Sequence, residues 1–254
     1  MSAYLRLAHL RVVHRVRSLV VASAVIVSSA ACGSKTADQV SDSVVTVDPR
    51  NIVTVASVAP ASYEGTLPCA DCSGLKTIIA LWPDSVYRLS QTYEGKSKTP
   101  VITMGRWRLS ESVVSLETES GIPTMFRRVG DDSLALLDQQ GQPITSSLNY
   151  TLGRSATMNS LREPAVFIGT FMYMADAATF RECGSGQTYP VLMRGAYKTL
   201  ERAYTAAKLP PGSGQQVEVR AQFVERPANM EGPRDHDVLE VLSYVGPAAN
   251  PGCR

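Results

Sequence analysis

Two thiols spaced C-x-x-C, Cys69 and Cys72 in the run Leu67-Pro68-Cys69-Ala70-Asp71-Cys72, are the residues of this chain best suited to chemistry. Such a pair either holds a soft metal ion or oxidises to a disulfide. Soft thiolates suit Cu(I), and the short loop lets both sulfurs face one ion, so Cys69 and Cys72 are candidate Cu(I) ligands. The alternative state is a Cys69–Cys72 disulfide in the resting protein. Met104 or Met125 could supply a third sulfur, although methionines at strand positions mostly serve core packing. Asp71 reads as a turn-former, because a hard carboxylate is a poor partner for a soft ion.

Redox catalysis is a weak reading of the same residues. The pair follows one strand-like segment and, after Ser73-Gly74, precedes another, so no helix N-terminus is expected to depress a thiol pKa. The sequence holds no Ser-His-Asp set, no paired-carboxylate motif and no phosphate loop, which argues against an enzyme. No small-molecule substrate and no obligatory cofactor are implied; copper is the one ion these residues suit.

Residues 1 to 31 bear on where the thiols work. Arg6, Arg11, Arg15 and Arg17 precede an apolar stretch from Leu19 to Val27, which ends in Ser28-Ser29-Ala30-Ala31-Cys32. This is the order of an export signal. The apolar stretch is shorter than the roughly 20 residues that a membrane span requires. Small residues ahead of a cysteine resemble the lipobox of bacterial lipoproteins, with Ser29 where leucine is usual. That resemblance implies lipidation of Cys32 and attachment to membrane lipid. Neither Gly33 nor Ser34 is the aspartate that signals inner-membrane retention, so an outer-membrane anchor facing the periplasm is expected. Removal of the signal takes four arginines and no acids, turning a formal charge of +2 into −2 on 223 residues. Nothing basic then remains to suggest nucleic acid. His236 becomes the one histidine, in the polar turn Gly232 to Asp237, and reads as solvated.

An oxidising compartment changes the cysteine arithmetic. Without Cys32, four cysteines remain: Cys69, Cys72, Cys183 and Cys253. Three pairings are possible, and a division of the chain into two domains favours Cys69 with Cys72 and Cys183 with Cys253. Closing about 70 residues should stabilise by about 4.4 kcal/mol, and closing about four by only about 1.9 kcal/mol. The long bridge is the staple and the short one is labile.

The elements around these residues are mostly strands. Residues 32 to 60 read as the lipidated N-terminus and a tether, in which a strand over Ile52 to Val58 is not favoured. Between 61 and 153, strand-like segments near 61–67, 75–82, 85–93, 101–109, 112–118, 122–129, 133–138 and 147–152 alternate with turn residues. Tyr87, Leu89 and Tyr93 fall on one face, with Arg88, Ser90 and Thr92 on the other; Trp107 and Leu109 also point inward. A meander of seven or eight such strands closes, or nearly closes, into a barrel. A polar stretch over 154–164 is the expected linker. Residues 165 to 254 carry strands near 166–174, 179–183, 189–192, 216–223 and 238–245. One helix lies between the third and the fourth, marked by Tyr197, Leu200, Tyr204 and Ala207 and stopped by Pro210-Pro211-Gly212. That order suits an OB-like barrel.

Particular residues carry a family resemblance. Tyr63-Glu64-Gly65-Thr66-Leu67-Pro68-Cys69-Ala70-Asp71-Cys72-Ser73-Gly74-Leu75, followed by Tyr93-Glu94-Gly95 and Gly105-Arg106-Trp107, resembles the N-terminal domain of NlpE-type copper-resistance lipoproteins. The second half is similar to the C-terminal domain of the same proteins at Gly169-Thr170, Phe180-Arg181-Glu182-Cys183, Tyr189-Pro190-Val191, Tyr197 to Tyr204 and Cys253. The resemblance implies a lipocalin-like N-terminal barrel and an OB-fold C-terminal domain. It also implies an outer-membrane lipoprotein, read here as a monomer, associated with copper tolerance and with signalling envelope stress to an inner-membrane sensor kinase. A periplasmic Cu(I) buffer acting through Cys69 and Cys72, with no signalling role, is the alternative.

Overall fold

The computed structural model describes residues 59–117, 121–174, 177–232, 237–249 and 253. Cys32, the export signal, the tether as far as residue 58 and His236 lie outside the described residues. The protein is mostly β. Eight strands, β1 (Ala61–Leu67), β2 (Gly74–Leu81), β3 (Val86–Glu94), β4 (Val101–Ser110), β5 (Val113–Leu116), β6 (Thr124–Val129), β7 (Ser133–Leu136) and β8 (Thr151–Arg154), follow one another as an antiparallel meander. The meander closes into a barrel where β1 meets β8 at Tyr63↔Arg154 and Glu64↔Gly153. Alternation sends Tyr63, Ile79, Leu81, Trp107, Val114, Phe126, Leu134 and Leu152 into the lumen, all nearly or fully buried. Gly105 faces Tyr87 across the β3–β4 ladder. A Cβ there would come within 2.6 Å of the Tyr87 ring and 2.7 Å of the Glu117 carbonyl, so only glycine fits.

Five further strands form a second sheet: β9 (Ala165–Met174), β10 (Ala177–Glu182), β11 (Thr188–Pro190), β12 (Gln215–Val224) and β13 (Val238–Pro247), in the order β11-β10-β9-β12-β13. A parallel bridge between Val191 and Leu239 draws the two outer strands together, giving the OB-like arrangement. Helix α1 (Tyr197–Ala206) connects β11 to β12. It has no side-chain N-cap and no acid in its first turn, so packing has to hold it. Tyr197 and Leu200 are buried, the Tyr204 ring meets Phe171 edge-on at 5.6 Å, and the Tyr204 hydroxyl donates to the Ser213 carbonyl at 2.7 Å.

One strand face departs from its pattern. Alternation in β3 puts Arg88 and Ser90 in solvent, yet they are only 3% and 6% exposed. The outer surface of β3 and β4 is a packing surface: Val86, Ile102 and Met104 join one apolar cluster with Phe167, Phe171, Phe223 and Leu239 of the second sheet. Tyr93, expected inside, is 38% exposed at the end of its strand. Arg88 is the polar centre of this contact. It donates to Asp237 Oδ2 at 2.7 Å and to the Ser160 carbonyl at 2.8 Å, with its guanidinium 3.7 Å from the Phe223 ring centroid. Arg162 holds the other Asp237 oxygen at 2.8 Å and pairs with Glu225. Removing a guanidinium from water costs several kcal/mol, which these partners offset in part, since the Arg88 Nε is buried without a hydrogen-bond partner.

Two disulfides are present, Cys69–Cys72 and Cys183–Cys253, the second closing a separation of 70 residues. Two outcomes are expected from chemical denaturation. Asp237→Ala, which leaves the buried Arg88 charge without its carboxylate, should lose about 3–5 kcal/mol; a loss below about 1 kcal/mol, the worth of an exposed pair, would remove Arg88–Asp237 from the packing account. Against oxidised wild type, Cys183→Ser/Cys253→Ser should lose about 4.4 kcal/mol and Cys69→Ser/Cys72→Ser about 1.9 kcal/mol. The reverse order would contradict the assignment of staple and labile bridge.

Candidate functional site

The Cys69–Cys72 disulfide sits in the loop of residues 68–73 that joins β1 to β2. Because the barrel is a meander, this loop shares one end of it with the β3–β4, β5–β6 and β7–β8 connections. The loop is clamped at its base, since β1 and β2 pair continuously from Ala61↔Leu81 to Leu67↔Leu75. Both cysteines are half-buried, while Ala70, Asp71 and Ser73 between and beside them are exposed. The sulfurs therefore face one another at a rim that solvent can reach.

Neighbouring groups tie the loop to the turn between β3 and β4. The Ser73 N–H donates to the Glu94 carbonyl at 3.1 Å. Gly95 adopts φ 81°, and a Cβ on it would lie 3.0 Å from Ser73 Oγ. Lys96 forms an ion pair with Asp71. The hydrogen bond and the charge of Lys96 hold the Asp71 carboxyl below the usual carboxylate range, so it stays ionised next to the sulfurs. Cys69 Sγ lies 3.6 Å from Asp71 Oδ1, and Cys72 Sγ lies 3.2 Å from the Gly74 carbonyl oxygen. Those acceptors are positioned to take hydrogen bonds from the thiols once the pair is reduced.

Ligand atoms from Cys69, Asp71 and Cys72 lie within 4.8 Å of one another. Their chemistry favours a soft ion held by the two thiolates, with the carboxylate kept by its lysine as a nearby negative charge. The other sulfurs considered as ligands are spent on packing. Met104 is buried in the cluster shared with the second sheet, and Met125 lies against the turn at Gly141. Two strands flank the loop, and among the described residues no helix dipole points at either thiol. In the second sheet, Cys183 follows β10 and Cys253 lies near the chain end, with Thr170 Oγ1 3.7 Å from Cys253 Sγ.

Lys96 and Arg88 were invisible to sequence patterning. Lys96 is 25 residues from Asp71, and its signal is only a basic residue after a turn glycine. Arg88 reads as a solvent-facing residue because its partner Asp237 is 149 residues away.

Residues 63–147 match the family described as the NlpE N-terminal domain, and residues 161–254 match the NlpE C-terminal OB domain. The chain is 37% identical over 152 residues to lipoprotein NlpE of Escherichia coli strain K12, a match spanning 59% of this chain and 62% of that protein's length. It also aligns with the crystal structure of the Cpx pathway activator NlpE from Escherichia coli at 33% identity, covering 72% of this chain and 92% of that one, with a TM-score of 0.31. With both domains matched, and together spanning most of its length, the chain belongs to the NlpE family.

Proposed function

We propose that this protein is a lipid-anchored, non-catalytic sensor of envelope stress, held in the outer membrane through Cys32 and facing the periplasm, with a part in copper tolerance. The observation that carries the reading is the contrast between its two disulfides. One joins neighbours on an accessible rim, with a carboxylate and a lysine beside it. The other ties the chain end to the second sheet across 70 residues. A rim disulfide opens at little cost to the fold, whereas loss of the long one loosens the second domain. The Escherichia coli relative is a Cpx pathway activator, which supports a signalling role.

In this scheme residues 1–31 are the export signal, residues 32–60 the lipidated tether, 61–153 the first domain, 154–164 the linker and 165–254 the second. The partner is an inner-membrane sensor kinase, and the protein acts as a monomer. Failure of lipidation, or failure of Cys183–Cys253 to form, exposes the surface that the kinase reads. On the copper side, a periplasmic dithiol supplies two electrons to Cys69–Cys72 by thiol–disulfide exchange and is itself oxidised to a disulfide. Binding of Cu(I) to the resulting thiols displaces their protons to solvent and leaves two thiolates as ligands.

The convergence of Cys69, Asp71 and Cys72 supports a second reading, a periplasmic Cu(I) buffer with no signalling role. Two experiments separate these readings. Titration of Cu(I) into reduced protein should show one ion bound, with affinity falling by about 100-fold or more in Cys69→Ser/Cys72→Ser, since both soft ligands are gone; equal affinity would remove these residues as ligands. An envelope-stress reporter should give higher output for Cys183→Ser than for wild type. Identical output would remove the long bridge from sensing and favour the buffer.

A further inference from the structure

We infer that the upper half of the first barrel is a binding site for a single unbranched acyl chain, entered at the rim that carries the Cys69–Cys72 loop. This goes beyond the proposed signalling and copper roles and does not depend on them. The lower half of the lumen is filled: Trp107, Tyr63, Leu81 and Leu152 are essentially inaccessible, and the Trp107 indole N–H is satisfied by the Trp82 carbonyl at 2.9 Å. Above them the wall residues border a cavity of about 520 Å³, which also reaches Ile102 and Met104 on the outer face of β4 and Val166, Phe167, Ile168 and Glu182 of the second sheet. Its volume lies within the roughly 300–1,000 Å³ of ordinary small-molecule sites.

The lining sets the chemistry of the occupant. Leu75, Leu89, Leu116, Phe126 and Leu136 form an apolar wall; the one charged side chain of the lining is Glu182 of the second sheet, whose carboxylate already accepts from the Gly184 and Ser185 N–H groups and the Ser185 hydroxyl. Eight strands enclose an interior wide enough for one slender ligand, which favours a methylene chain over a fused-ring molecule. Gln91 and Thr103 also line the cavity, and among the described residues their side chains have no hydrogen-bond partner. Both sit near the rim, where the polar end of an acyl chain would lie.

Apolar side chains are also exposed at the rim, between its charged groups. Tyr93, Val101, Ile122 and Leu148, one or more from each of three connections at this end, are 38%, 52%, 57% and 60% exposed. Lys98 on the same rim is exposed and makes no ion pair among the described residues. Exposed apolar side chains around a hollow apolar lumen suit transfer of a chain from a lipid surface. A lysine at the edge suits an anionic head group, whether a fatty carboxylate or a lipid phosphate.

Photo-crosslinking tests this on the full-length chain in phosphatidylethanolamine–phosphatidylglycerol vesicles. One arm uses a fatty acid with a terminal diazirine, and the other a phosphatidylethanolamine carrying the same chain. After irradiation, peptide mapping should find adducts on lumen residues such as Leu75 and Leu136. Leu89→Trp, which fills the cavity, should lower those adducts by about ten-fold or more through loss of the apolar site, while adducts on exposed Leu148 remain. Leu136→Trp, read at Leu75, repeats the test from the opposite wall should the first variant misfold. Lumen adducts in the first arm alone identify a free fatty acid, and in the second a bilayer lipid; each upholds the site. Adducts confined to exposed residues in wild type, or lumen adducts that survive both fillings, would overturn it.

Discussion

Closure of the first barrel is the constraint on which the rest of the molecule depends. Once β1 pairs with β8, no strand of the meander keeps a free edge, and variation is confined to the two ends. At one end the connections are short turns such as those at Asp84–Ser85 and Asp131–Asp132. The longer connections gather at the other, and the C-x-x-C loop is among them. The β1–β2 ladder pairs continuously up to Leu67↔Leu75, at the base of the loop, through backbone hydrogen bonds to which the sulfurs contribute nothing. On the proposed reading, a redox or metal event at the rim would therefore leave what carries it folded.

The two crosslinks gain their different characters from where they sit. Cys69–Cys72 spans a loop that the ladder already constrains, so it removes little entropy from the unfolded chain. Cys183–Cys253 brings Cys253 back to the end of β10. Among the described residues, the helix of the second domain has no side-chain N-cap. Between the barrel and the second sheet, the Arg88–Asp237–Arg162 cluster sits inside an apolar contact built from Val86, Met104 and Phe223. A buried charge tolerates only the arrangement that supplies its partners, so this cluster specifies how the two sheets meet.

Much of this was legible from the residues, for physical reasons. Period-two alternation marked the strands of both halves, because each has one face that must be buried; β12, with Val217, Val219, Ala221 and Phe223 inside, is the clearest. The segment near 147–152 misled: its strand begins only at Thr151, and Leu148 lies exposed in the loop before β8. There Asn149 accepts from the Thr151 N–H and donates to the Thr66 carbonyl instead. What alternation cannot register is a strand covered on both faces. Arg88 has the pattern of a solvent residue and the environment of a core residue, and only the fold brings Asp237 to it. The sulfur pair was legible as a motif, whereas the Asp71–Lys96 pair beside it required the rim to be assembled first.

The central claim is that the rim disulfide is the one that changes state while the distant one holds the fold. Graded dithiol redox buffers, followed by alkylation of free thiols and peptide mass mapping, test it most directly. The difference in loop size, about 2.5 kcal/mol, corresponds to about 50 mV for a two-electron couple. Cys69 and Cys72 should become alkylated at a poise less reducing than that which opens Cys183 and Cys253. If Cys183 and Cys253 open first, or all four thiols appear together, the account is wrong.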